Sequence, residues 1–173
     1  PQDVTYKGEA TFVHIGDRNI IREFTTINRG TPKGGGHTRL GDDNYLMAYA
    51  HVAHDCQLGS HVILSNGATL AGHVEIGDFV VLSAFCAVHQ FVRIGRLAMI
   101  GGGSRVAKDV LPFTTVVNDS EVYSLNSVGL RRAGFTPDER LLLKRVFRTI
   151  YRSGLNLSRA VEALRVSAGA PLV

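Results

Sequence analysis

The sequence predicts an all-β parallel β-helix with a C-terminal α-helical extension, and three observations carry that expectation. An aliphatic residue recurs at every sixth position, glycine follows every third of these aliphatics, and beyond Val110 the period of six gives way to helical spacing. The aliphatics are Ile15, Ile21 and Ile27, then Leu40, Leu46, Val52, Leu58, Leu64, Leu70, Ile76, Leu82, Val88, Ile94, Ile100 and Val106. Neither a helical nor a simple strand period accounts for that series. The glycines are Gly16, Gly41, Gly59, Gly77 and Gly95, the last four 18 residues apart, so three hexads close one coil of a triangular solenoid.

In such a coil each hexad supplies a short strand and a corner, the aliphatic points inward, and neighbouring coils stack about 4.8 Å apart. The corners are expected to use small or flexible residues, which suits a chain with 19 glycines. A seven-residue excess around Lys33–Arg39, containing Gly34, Gly35 and Gly36, is expected to project from the coil as a loop. The chain enters the repeat soon after Pro1 with no initiator methionine, as a part of a longer chain would.

The segment from about Ser120 to Arg132 has helical character. Thr136-Pro137-Asp138-Glu139 then reads as a capping box with proline at the first helical position. Leu141, Leu142, Leu143, Val146, Phe147, Ile150 and Tyr151 follow at helical spacing up to Gly154, and a further helix is expected over 157–166. The expected division is therefore a β-helix over 1–112 and helices over 113–173, the helices capping the solenoid and packing with neighbouring copies.

Composition sets the outer bounds. With 173 residues, 45% of them apolar and 20% charged, the chain can bury a core, and no apolar run approaches the roughly 20 residues of a membrane span. Two cysteines, Cys56 and Cys86, form neither a disulfide framework nor a CxxC motif, and no signal peptide precedes them, so a cytoplasmic location is expected. The net charge of +4 arises wholly after residue 118: ten Lys/Arg balance ten Asp/Glu before it, against nine and five after it. That excess is either a solvated helix face or a docking surface for an acidic partner. Without interleaved aromatics it gives no reason to expect nucleic acid.

Counting Leu40, Leu58, Ile76 and Ile94 as phase zero of their coils, His51 falls at phase 11, His54 at 14, His73 at 15 and His89 at 13. Asp55 and Gln90 share the strip, whereas His14, His37 and His61 lie elsewhere and read as surface residues. A single corner histidine commonly bonds to the backbone or to another ring. Four in one strip beside a carboxylate supply what a general base needs, a group titrating near neutrality and an acid that fixes its tautomer. The acid could be Asp55 or a group from a neighbouring chain. Zinc held by histidines of two chains is the competing reading, though the separations of 3, 19 and 16 residues are not those of a compact zinc motif.

The motifs His51-Val52-Ala53-His54-Asp55-Cys56, Leu70-Ala71-Gly72-His73, Ala87-Val88-His89-Gln90-Phe91, Ile27-Asn28-Arg29-Gly30-Thr31 and Ile150-Tyr151-Arg152-Ser153-Gly154 closely resemble the UDP-N-acetylglucosamine O-acyltransferases, whose reaction opens lipid A biosynthesis. The resemblance covers nearly the whole chain. It implies a left-handed hexapeptide-repeat β-helix, a homotrimer with sites between subunits, and transfer of a 3-hydroxyacyl group from acyl carrier protein to the sugar 3-hydroxyl. It further implies His54 as general base, Asp55 as its electrostatic partner and the Gly72 amide as oxyanion donor. Asp3, His51, His73, His89, Gln90 and Arg132 would bind substrate, and Gly102 would limit acyl length. No metal or organic cofactor is implied. The chain departs from the family pattern at Thr5, where a lysine is usual, with Lys7 following Tyr6, and at Ala133, often an arginine. The family's first coils lie before Pro1 and its last helical segment is shortened at Val173. The alternatives are the related N-acyltransferase acting later in the pathway, a zinc lyase of the carbonic anhydrase type, and a non-enzymatic assembly solenoid.

Overall fold

The computed structural model describes residues 1–169. The first of its two compact units, Pro1–Asn126, is a left-handed parallel β-helix of mostly two-residue strands in three sheets. Every aliphatic of the hexad series falls into one of three columns. Ile15, Leu40, Leu58, Ile76 and Ile94 pair in succession in the first sheet; Ile21, Leu46, Leu64, Leu82 and Ile100 do so in the second; Ile27, Val52, Leu70, Val88 and Val106 do so in the third. From Leu40 onward all of these residues are buried, and with Ala50, Val62, Ala68, Val74, Val80 and Ala98 they form one continuous core. The period of six is thus the closing condition of a triangle whose sides each bury a strand aliphatic and, two residues before it, a second apolar residue that is usually smaller.

The corners are made differently from the expectation. From Asp43 to Gly103 the left-handed backbone positions recur every six residues, but apart from Gly67 and Gly103 they hold Asp43, Tyr49, Asp55, His61, His73, Phe79, Phe85, Phe91 and Leu97, and Arg18 and Phe24 precede the insertion in the same way. Each such residue costs about 1–2 kcal/mol, offset by ladder hydrogen bonds and by stacking between coils. Phe24 stacks on Tyr49, His61 on Phe79 and His73 on Phe91, at 4.9, 4.5 and 4.6 Å between centroids. The periodic glycines serve close approach instead. A Cβ on Gly16, Gly41, Gly59, Gly77 or Gly95 would lie 2.2–2.7 Å from an atom of the next coil.

The inserted loop is anchored rather than merely projecting. Pro32–Gly34 forms a 3₁₀ turn capped by Thr31, and the exposed tip rises from a buried root at Gly30 and Thr31. The boundary between the units also lies later than 112/113. Thr114–Val117 adds to the second sheet beside Met99–Ile100, and Glu121–Leu125 pairs with it antiparallel, so this hairpin belongs to the solenoid unit. Glu121–Leu125, expected as helix, is drawn into strand by that ladder.

The second unit contains α1 (Ser127–Arg132), α2 (Pro137–Arg152) and α3 (Leu157–Gly169). The capping box is present: the Glu139 amide donates to the Thr136 hydroxyl at 3.2 Å, and the Thr136 amide donates to the Glu139 carboxylate at 2.8 Å. Gly154, at φ 77°, follows the α2 terminus as expected. Residues 170–173 of the expected helical domain lie outside the described residues. Among the described residues no helix is long and apolar enough to cross a membrane.

Candidate active site

The edge between the third and first sheets carries the candidate site. His51 opens one strand, His54 and Asp55 make the corner that follows it, and Gly72 with His73 make the same corner one coil on. Asp55 is nearly sealed from solvent, with 1% of its side chain exposed. Its amide donates to the Thr38 hydroxyl at 2.8 Å. Its Oδ1 accepts the Thr31 amide at 2.7 Å, and its Oδ2 accepts the Thr31 hydroxyl at 2.7 Å and meets His54 Nδ1 at 2.8 Å. Burial pushes this carboxyl up, but the Thr31 amide, His54, the Thr31 hydroxyl and His73 together outweigh it and hold the group below the ordinary carboxylate value.

An ionised carboxylate can only accept, so the proton of His54 sits on Nδ1 and its Nε2 keeps a free lone pair. The acid is therefore the sequence neighbour in the same chain. His73 completes the group: its Nε2 lies 3.7 Å from Asp55 Oδ2, its ring meets His54 edge-on at 5.1 Å, and its other flank stacks on Phe91.

Gln2, unremarked in the sequence, ties His51 to His54. Its Oε1 accepts the His54 amide and its Nε2 donates to His51 Nε2, both at 3.2 Å. The amide orientation follows, because a flipped Gln2 would oppose two donors. His51 then donates from Nδ1 to the Thr26 hydroxyl at 2.6 Å. Both of its nitrogens have roles that suit a neutral ring, and burial lowers its proton affinity further.

Gly72 supports the neighbouring ring by lacking a side chain. A Cβ there would stand 2.6 Å from His54 Cε1 and 2.8 Å from Nε2, so the backbone runs directly beside the free lone pair. The Gly72 N–H donates to no acceptor among the described residues.

The remaining expected residues are more dispersed. His89 and Gln90 sit on the same edge one coil beyond His73, both exposed, with His89 Nδ1 3.1 Å from the Gln90 carbonyl. Asp3 is clamped by the amide and hydroxyl of Thr5, at 2.8 and 2.9 Å, which with lesser help from His54 and Lys33 hold its carboxyl below its usual value against slight burial. Gly102 lies at a different corner, between the second and third sheets, away from His54 within one chain. Arg132 ends α1 of the second unit and is exposed.

His54, Asp55 and His73 offer three donor atoms within 4.8 Å of one another, the number a catalytic zinc uses. The fit is poor, because the Asp55 oxygens already take the Thr31 amide, the Thr31 hydroxyl and His54 Nδ1.

Comparisons with known proteins identify the family. Residues 109–172 match the family model described as Udp N-acetylglucosamine O-acyltransferase, domain 2, and residues 37–72 match the bacterial transferase hexapeptide model of six repeats. The acyl-[acyl-carrier-protein]–UDP-N-acetylglucosamine O-acyltransferase of Halorhodospira halophila is 57% identical over 165 residues, covering 95% of this chain and 64% of the relative. Its counterpart in Alkalilimnicola ehrlichii is 53% identical over 167 residues, covering 96% and 65%. The chain thus spans just under two thirds of these relatives. Among solved structures, the Francisella novicida UDP-N-acetylglucosamine acyltransferase superposes with a TM-score of 0.93 at 45% identity, over 97% of this chain and 62% of that one. The Bacteroides fragilis acyltransferase gives 0.90 at 40%, over 100% of this chain and 67% of that one. The chain belongs to the UDP-N-acetylglucosamine O-acyltransferase family.

Proposed function

We propose that this protein transfers a 3-hydroxyacyl group from acyl carrier protein to the 3-hydroxyl of UDP-N-acetylglucosamine, the first step of lipid A biosynthesis. The observation that carries the reading is the His54–Asp55 hydrogen bond at 2.8 Å, which leaves His54 Nε2 free beside the Gly72 backbone. The sugar hydroxyl attacks the thioester carbonyl as His54 Nε2 takes its proton. Asp55 stabilises the resulting imidazolium. The Gly72 amide donates to the oxyanion, whose collapse expels the carrier thiolate, and that thiolate recovers the proton from His54. An activated thioester needs no metal or organic cofactor for this sequence of steps.

Asp3, His51, His73, His89 and Gln90 would line the sugar and acyl sites, and Arg132 would contact the nucleotide phosphates. Because Gly102 and His54 occupy different edges of one chain, a role for Gly102 in acyl length requires a site shared between subunits, as in a homotrimer. The enzyme would act in the cytoplasm. A mass-spectrometric assay of the full-length protein with UDP-N-acetylglucosamine and 3-hydroxyacyl carrier proteins tests the reading. Mono-O-acylated nucleotide is expected. A folded protein that instead N-acylates the 3-O-acylated glucosamine nucleotide, or purifies with stoichiometric zinc, overturns it.

Two predictions follow from these placements. A Cβ on the exposed Gly102 would meet only the Ala84 carbonyl at 3.6 Å and Ser83 Cβ at 3.9 Å, ordinary contacts, so Gly102→Met introduces no clash at its Cβ. It is expected to shift preference toward shorter acyl chains in a competition assay, and unchanged selectivity removes Gly102 from that role. Lys144, Arg148 and Arg152 recur at four-residue spacing along α2 and are exposed. Arg148→Glu with Arg152→Glu is expected to raise KM for the acidic carrier about tenfold, leaving KM for the nucleotide unchanged. Equal effects on both substrates would place the docking surface elsewhere.

A further inference from the structure

We propose that Thr31 is a positioning residue for the acid of the His54–Asp55 pair, and that the inserted loop exists to bring it there. The proposal rests on the transferase reading above. The other coils close without an insertion, so the solenoid itself does not require one. The insertion leaves the ladder at Asn28–Thr31, one coil below Asp55 on the same edge, and returns at His37 with strand pairing kept on both sides.

What it delivers is specific to the carboxylate. The Thr31 amide binds one oxygen and the Thr31 hydroxyl the other. The hydroxyl also accepts the Gly34 amide at 3.2 Å, which directs its single proton toward Asp55. Gly34 provides the clearance: a Cβ there would stand 2.1 Å from Asp55 Cγ. Thr31 thereby fixes the plane of the carboxylate and shares the charge of Oδ2, the oxygen that receives the His54 N–H.

The titratable groups facing Asp55 are His54 on its own coil, His73 on the next and Cys56 beside it, while Asp3 lies farther out within reach of His54 and Lys33. Burial pushes the Cys56 thiol up to about 11, so it stays neutral. The basic groups in contact with Asp55 are therefore the two imidazoles, of which His54 is hydrogen-bonded to it. Thr31→Val removes the hydroxyl proton and keeps the amide. Oδ2 becomes the stronger acceptor, the imidazolium of His54 is held more tightly, and His54 loses its proton only at higher pH.

The acidic limb of the pH profile of kcat/KM is then expected to move up by roughly one unit, the size of one hydrogen bond to a charged group. KM for UDP-N-acetylglucosamine should change less than about twofold, and Thr31→Ser should restore the limb. The same shift should appear in a substrate-free ¹⁵N NMR titration of His54 in the full-length protein. A uniform loss of rate with an unmoved limb and titration, or a Thr31→Val variant indistinguishable from the parent, overturns the proposal. If Thr31→Val does not fold, Thr31→Cys, a weaker donor of similar size, is titrated instead and should shift the same way by less. Because the titration needs no substrate, a shifted His54 in a protein without transferase activity would count against the function and not against the clamp.

Discussion

Replacement of His54 by alanine is expected to lower kcat about 10²–10⁴-fold, the range that a positioned general base contributes, with the fold retained. The ring is not part of the core: its side chain is 19% exposed and projects from a corner beside Asp55 and His73. What is lost is the lone pair at Nε2, poised because Asp55 holds the other nitrogen. Gln2 and His51 remain, although the contact from Gln2 to residue 54 uses only the backbone amide. KM for the nucleotide should therefore change little, and the loss should reside in kcat. The product assay measures the rate, and circular dichroism with thermal melting confirms the fold. Activity within threefold of the parent would remove His54 as the base and leave His73 as the nearest imidazole to test.

The hexad series was legible because its cause is local: each aliphatic must point inward once per side of the triangle, so period and burial are one constraint. Phase counting likewise placed His51, His54, His73 and His89 on one edge, since stacked coils turn sequence phase into position. It could also have shown that Gly102, at phase 8, lies on another edge. The corners were not legible, because their left-handed backbone is held by stacking between coils, and Phe91 or His73 announces that partnership only once the coils are aligned. Thr31 and Gln2 escaped for a related reason: Gln2 precedes the first aliphatic, and Thr31 sits where the insertion begins, so phase counting aligned neither with the histidine strip. One signal for Thr31 was available, namely that the insertion leaves the repeat at the phase occupied by Asp55, a buried acid in need of donors. The hairpin at 114–125 was misread as partly helical because Glu121–Leu125 takes its conformation from antiparallel pairing with Thr114–Val117, an arm itself held in the second sheet by Met99–Ile100.

Gly72→Ala should be nearly as damaging as removing the base, and through the same residue. The backbone at Gly72 is outside the left-handed region, so alanine brings no conformational strain there; the added Cβ instead presses on the His54 ring at 2.6 and 2.8 Å. That ring cannot yield freely, held by Asp55 at 2.8 Å on one side and edge-on against His73 on the other. Any displacement that relieves the contact stretches the Asp55 bond or turns Nε2 away from the sugar hydroxyl, and it also alters the space beside the Gly72 amide. A loss of about 10²–10³ in kcat/KM is expected, comparable to removing one oxyanion donor, against an overpacking cost to stability of about 1–3 kcal/mol. A double-mutant cycle separates the routes. If alanine acts by crowding His54, then adding Gly72→Ala to His54→Ala costs nothing further, because the ring it would strike is gone. If the double variant is instead another hundredfold slower, the substitution has damaged the oxyanion site directly, and Gly72 matters for the placement of its amide more than for the room it leaves the base.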